Sequence, residues 1–147
     1  EPLDVQYVRQ RVPLDALEEV AESVVEASFS DDGTALYARA ANGIWAVDPQ
    51  SGALFGQLSD RGSLARVFGD GRAAIAIALP DESVSTSISV RTYARAQRVG
   101  ETILRAGGAC SAVVSQTVRV SDDGRSFIAL CTANREQSVF AAWGAGR

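Results

Sequence analysis

The chain has 147 residues, 46% hydrophobic and 22% charged, with a formal net charge of -4. That length can bury roughly 70% of the unfolded surface in one core, and the composition excludes a disordered or low-complexity chain. All 14 basic residues are arginine, scattered from Arg9 to Arg147, which argues against a nucleic-acid partner, and the absence of histidine excludes a Ser-His-Asp triad, a Cys-His dyad and a His-containing zinc site.

The chain begins Glu1-Pro2-Leu3-Asp4, without the basic and apolar regions of a signal peptide, so such a peptide is either removed or absent. With no methionine anywhere, the sequence reads as a processed or trimmed chain. Val5 to Val12 alternate apolar and polar residues, as an edge strand does. Residues 14 to 25 then place Leu14, Leu17, Ala21 and Val24 on one stripe and Asp15, Glu18, Glu19 and Glu22 away from it. That period predicts a short N-terminal helix, opened by Pro13 and carrying carboxylates in its first turns.

From there the period becomes that of strands. Val25-Ala27-Phe29 alternates, Asp31-Asp32-Gly33 turns the chain, and Ala35 to Ala38 returns. Asn42-Gly43 is a hairpin signal before Ile44 to Val47, and Asp48 to Gly52 is a further turn before Leu54 to Leu58. The result is a four-stranded antiparallel meander. The same grammar recurs without gaps: Ser28 to Ala38 aligns with Arg66 to Ala76 and again with Arg119 to Ala129, which makes Gly33, Gly71 and Gly124 equivalent. Repeat two continues with Ile88 to Tyr93 and Glu101 to Leu104; repeat three continues with Val139 to Trp143 and has no fourth strand of its own. No apolar run exceeds Ala73 to Pro80, far short of the roughly 18 residues a membrane span requires, so no span is expected.

The stretch Phe29-Ser30-Asp31-Asp32-Gly33-Thr34-Ala35-Leu36-Tyr37 resembles the strand-turn-strand of TolB-like and YVTN-type β-propeller repeats. Asn42 to Gly52 is similar to the corresponding stretch of PQQ-like blades. The resemblance covers about residues 24 to 147 and speaks to fold and not to function. There is no Gly-His or Trp-Asp dipeptide of the WD40 kind.

The expected architecture is therefore all-β, three propeller-like four-stranded antiparallel repeats with a short N-terminal helix, the alternative being a β-sandwich or an open curled sheet. One domain spans 1-147: an N-terminal strand and helix (1-25), repeat one (26-60), repeat two (63-105) and an incomplete repeat three (109-147). Closed propellers have four to eight blades and three are countable here. Four resolutions stand open: a larger propeller, a ring closed by oligomerisation, a helical cap, or a different sheet arrangement. Val5 to Val12 offers a strand for the position that repeat three lacks.

Cys110 and Cys131, each read as lying in a strand, are either a disulfide or two buried thiols acting as small hydrophobes. The Asp-Gly clusters read as turns in which Asp caps its own backbone, since an EF-hand would require a distal Glu that is missing. Without His or Lys, and with Glu1 at the start, the sequence offers no activated nucleophile, so no catalytic residue, cofactor or metal is expected. Most of the ten aromatic residues, Phe29, Trp45 and Phe140 among them, read as inward-facing; Trp143 reads as the foremost candidate for an exposed anchor. Arg91, Tyr93, Arg95 and Arg98 form the only local basic concentration and a candidate partner-binding patch.

These readings point to a non-catalytic protein-interaction or scaffold module whose partner is another protein or a second copy. The heavy use of Ala, Arg, Gly and Val, together with the resemblance, points to the bacterial cell envelope, periplasmic or extracytoplasmic; a cytoplasmic location is the alternative. The alternative function is a lectin-like propeller that binds a small ligand or carbohydrate and closes by oligomerisation.

Overall fold

A computed structural model of the chain describes residues 24-79, 87-107, 110-132 and 138-144. The expected helix over 14-25 and the strand over Val5 to Val12 lie outside these residues, except that Val24 and Val25 belong to a strand and not to a helix. Among the described residues twelve strands occur: β1 Val24–Phe29, β2 Leu36–Ala40, β3 Gly43–Val47, β4 Leu54–Ser59, β5 Ser63–Val67, β6 Arg72–Ala78, β7 Ser87–Ala94, β8 Gln97–Arg105, β9 Ala112–Val113, β10 Arg119–Val120, β11 Ser126–Thr132 and β12 Ser138–Gly144. They form three antiparallel sheets of four strands each, in the orders β1-β2-β3-β4, β5-β6-β7-β8 and β10-β11-β12, with β9 also pairing β11. The described sheets form no closed ring.

Three equivalent turns begin the three sheets. Gly33, Gly71 and Gly124 all have left-handed φ, at 72°, 94° and 74°. In the first turn the Ser30 hydroxyl donates to Asp32 Oδ1 (2.7 Å), which also accepts from Thr34 N–H (3.0 Å), while Ser30 Oγ accepts from Ala35 N–H (3.1 Å). Ser121, Asp123, Arg125 and Ser126 repeat this network at 2.6, 3.0 and 3.0 Å. In the second turn Phe68 stands where those serines stand and has no hydroxyl to hold the amide five positions along. The turn closes one residue sooner: Val67 pairs Ala73, where Phe29 pairs Leu36 and Val120 pairs Phe127. The ungapped alignment is thus one residue out of step in repeat two. The structural equivalents are Leu36, Ala73 and Phe127, then Tyr37, Ala74 and Ile128.

Glycine is required unequally at these turns. A Cβ on Gly71 would come within 2.5 Å of Thr34 Oγ1, whereas one on Gly124 meets nothing nearer than Phe68 at 3.9 Å. Gly124→Ala is expected to cost about 1–2 kcal/mol for its left-handed backbone alone, and Gly71→Ala distinctly more. Denaturant unfolding of the two variants checks the order; equal losses would contradict it.

Alternation along β6 shows how the sheets stack. Ala73, Ile75 and Ile77 pack with Ala35, Tyr37, Ile44, Ala46 and Leu58 of the first sheet, and Ala74 and Ala76 pack with Phe127, Ala129 and Cys131 of the third. The central strand of the second sheet is therefore enclosed on both faces: β6 is apolar from Ala73 to Ala78 and almost fully buried from Ala73 to Ile77. Each junction joins the forward face of one sheet, the one turned toward the later sequence, to the rearward face of the next. Tyr37 fastens the first junction. Its buried hydroxyl donates to Gly71 O and accepts from Arg95 N–H at 3.1 Å.

The third sheet differs from the other two at both edges. Its first strand is split into β9 and β10 around a 3-10 turn at Ser115–Thr117. The Thr117 hydroxyl repairs the gap in the ladder, accepting from Leu130 N–H at 2.8 Å and donating to Val114 O at 2.7 Å. Among the described residues nothing occupies the position beside β12 that β4 holds beside β3 and β8 beside β7. Cys110 is disulfide-bonded to Cys131, with Cα atoms 5.3 Å apart. Only Cys131 lies in a named strand; Cys110 sits at an isolated bridge to Gly107 just before β9.

Candidate functional site: the forward face of the third sheet

Position for position, the third sheet carries the same kind of forward face as the other two. Tyr37 and Ala74 are 0% and 1% exposed, because the next sheet covers them; Ile128, their equivalent, is 45% exposed. The neighbouring strands repeat the contrast. Ile44 pairs Arg39 and Val90 pairs Ala76, as Phe140 pairs Leu130. Ile44 and Val90 are 0% and 2% exposed, and Phe140 is 76% exposed. Ile128, Leu130, Phe140 and Ala142 thus share one face, and beside Ile128, Ala142 and Val120 lies a mainly apolar cleft of about 340 Å3 rimmed by Arg119. Large exposed apolar side chains that share one sheet face mark interaction sites.

Phe140, expected to face inward, is the exposed aromatic of this sheet, and Trp143 lies on the opposite face. Trp143 is half-buried against the core between sheets two and three, and its indole N–H donates to Arg105 O at 3.3 Å. Trp45 is also half-buried, its indole N–H donating to Asn42 Oδ1, while Phe29 is 40% exposed.

The arginine-rich stretch does not form one patch. Tyr93 is buried at the first junction, and its hydroxyl donates to Leu58 O at 3.2 Å. Arg91 is half-buried and pairs with Glu101, which also accepts from the fully buried Ser89 hydroxyl; that Ser89 bond, with the Arg91 contact, holds Glu101 below the ordinary carboxylate range. Arg95 occupies the tight turn between β7 and β8 at φ 56°, its guanidinium 5.0 Å from the Phe55 ring centre. Arg98 is exposed on β8 opposite Tyr93.

A second concavity lies where the three equivalent turns meet. Asp31, Asp70 and Asp122, one from each turn, surround Arg66, Phe68 and Arg72 in a cleft of about 370 Å3. Arg66 donates to Val120 O at 3.0 Å and pairs with Asp122, while its Nε is buried without a partner. Arg72 pairs with Asp70 at 2.8 Å and lies 5.0 Å from the Phe68 ring centre.

The turn carboxylates set a pH response. Hydrogen bonds, from Ser30 foremost and then Thr34, hold Asp32 below its ordinary value of 3.8, and Ser121 and Arg125 N–H do the same for Asp123. A carboxylate depressed in the folded state stabilises the fold above its unfolded pKa and loses that contribution as pH falls through the folded value. The melting temperature is expected to fall below about pH 4, less steeply in Asp32→Asn/Asp123→Asn. A double variant with the same acid limb as the parent would contradict this.

Among the described residues no group of three or more His, Cys, Asp or Glu is placed to hold a metal ion, and no helix is long and apolar enough to cross a membrane. No protein-family model matches the sequence, and no curated protein matches it.

Proposed function

We propose that the chain is a non-catalytic protein-interaction module built from propeller-like repeats. One observation carries the reading. Positions buried by the following sheet at two successive junctions are occupied at the third by Ile128 and Phe140, apolar and open to solvent. A rigid stack of sheets that ends in such a face presents a ready binding surface at little ordering cost. The strand-turn-strand units, repeated three times and stacked forward face to rearward face, support blades of a propeller over a two-sheet sandwich. The Cys110–Cys131 bridge favours an oxidising compartment, in keeping with a bacterial periplasmic or envelope location.

Affinity capture from the source cell's envelope extract tests the reading, comparing the parent chain with Phe140→Asp/Ile128→Asp. The expected result is a defined protein recovered with the parent and lost with the variant. An identical set recovered by both would remove the proposed surface.

A second reading rests on the cleft of Asp31, Arg66, Phe68, Asp70, Arg72 and Asp122. Hydrogen-bonding charged groups lining a cleft suit a carbohydrate or another polyhydroxylated small ligand. Under that reading Arg66→Ala abolishes a thermal upshift that a glycan panel produces with the parent; if no glycan shifts the parent's melting temperature, the reading fails.

A further inference from the structure

We infer that residues 14–23 cap the rearward face of the first sheet, seating Leu14, Leu17 and Ala21 on β2 and β3 and closing that end of the stack to another sheet. The assignment does not depend on the interaction-module reading. It rests on a row of buried residues that no described element covers. Leu36, Ala38 and Ala40 alternate with Tyr37 and so face rearward, where Leu36 pairs Val47 and Ala38 pairs Trp45. In the single chain they are 5%, 3% and 6% exposed, and Val47 is 0% exposed. None of the four belongs to either core between the sheets.

Neighbours within a sheet do not bury a residue to this degree. Ile128, on the third sheet's open face, is flanked by strands on both sides and is still 45% exposed. On the rearward face of the first sheet itself, Phe29 is 40% exposed, Ala27 is exposed and Trp45 is half-buried. The cover therefore lies over β2 and part of β3 and stops short of β1.

Position and chemistry select the segment. Outside the described residues, 80–86, 108–109, 133–137 and 145–147 join or follow strands of the second and third sheets. They are short, and Val84 is their one large hydrophobic residue. Residues 1–23 instead lead straight into β1, whose first residue, Val24, pairs Ala40 of the buried row. Leu14, Leu17 and Ala21 fall on one stripe at helical spacing, with Asp15, Glu18, Glu19 and Glu22 away from it. A ten-residue segment at that spacing spans about 15 Å, close to the roughly 17 Å of a five-residue strand such as β2. Leucine and alanine then meet leucine, alanine and valine with no charge buried between them.

Thiol labelling of the full chain tests the cap. Ala38→Cys is expected to react slowly, and roughly tenfold or more faster when Leu14→Asp/Leu17→Asp is added. Ala73→Cys, in the core between the first and second sheets, should stay protected in both backgrounds. An Ala38→Cys thiol that reacts as fast as one at Val25→Cys, where the parent residue is 65% exposed, overturns the inference. So does one that stays protected beside Leu14→Asp/Leu17→Asp. If Ala73→Cys also becomes reactive, the double substitution has unfolded the chain and photo-crosslinking decides. With p-benzoylphenylalanine replacing Leu17, the expected adduct joins position 17 to the peptide from Leu36 to Val47 of the same chain, in a yield unchanged by dilution. An adduct to another element or to a second copy, or no adduct, overturns the inference.

Discussion

Replacing Ile44 by Ala is expected to lower the unfolding free energy by about 2–5 kcal/mol, whereas Phe140→Ala at the equivalent place in the third sheet should change it by less than about 0.5 kcal/mol. The two residues hold the same position in their sheets and differ in what covers them. Ile44 is completely buried among Ala35, Tyr37, Ile75 and Ile77, so its truncation leaves a cavity that neighbouring strands, held by their ladders, cannot collapse to fill. Phe140 already faces water over most of its surface. Urea unfolding of both variants beside the parent measures the contrast. Comparable losses would mean that the third sheet's forward face is covered within the isolated chain.

Reduction of the Cys110–Cys131 bridge is expected to cost about 3 kcal/mol, because the bridge closes a 21-residue separation that the unfolded chain would otherwise explore. For a chain of this size that corresponds to a drop in melting temperature of roughly 6–12 °C. The bridge ties the segment before β9 to the C-terminal end of β11, so the loss should be felt first in the third sheet. Cys110→Ser/Cys131→Ser should melt at the lower temperature with and without reductant. A parent whose melting temperature ignores reductant would contradict the expectation.

Much of the fold was legible in the residues because its turns are chemically explicit. Ser-Asp-Asp-Gly carries a hydroxyl, a capping carboxylate and a residue free to take left-handed φ, so the first and third turns announced themselves together with the strands on either side. The second turn kept its Asp-Gly but lost the serine to Phe68, and the resulting one-residue contraction has no signature in an ungapped comparison. The two strands of the β7–β8 hairpin were expected, but its tight turn was hidden for a related reason, so β8 begins at Gln97 and not at Glu101. Arg95-Ala96 contains no glycine, asparagine or aspartate, although Arg95 adopts left-handed φ there.

The candidate face was less legible. Val139-Phe140-Ala141-Ala142-Trp143 is apolar at every position, so alternation could not say whether Phe140 or Trp143 turns outward. That parity is decided by register, through Phe127 opposite Trp143 and Leu130 opposite Phe140. Tyr93 was misplaced by its arginine neighbours; burial against the first sheet depends on a contact 35 residues away, at Leu58. The propeller resemblance anticipated repeated sheets, but the end-face equivalence emerges only when the three registers are superimposed.

Hydrogen exchange of the isolated chain, read strand by strand, tests most directly whether the sheets stack as described with the third face open. The account predicts slowest exchange in β6, enclosed on both faces, and much faster exchange in β12, whose forward face and outer edge lack a described neighbour. Equal protection of β6 and β12 would contradict it.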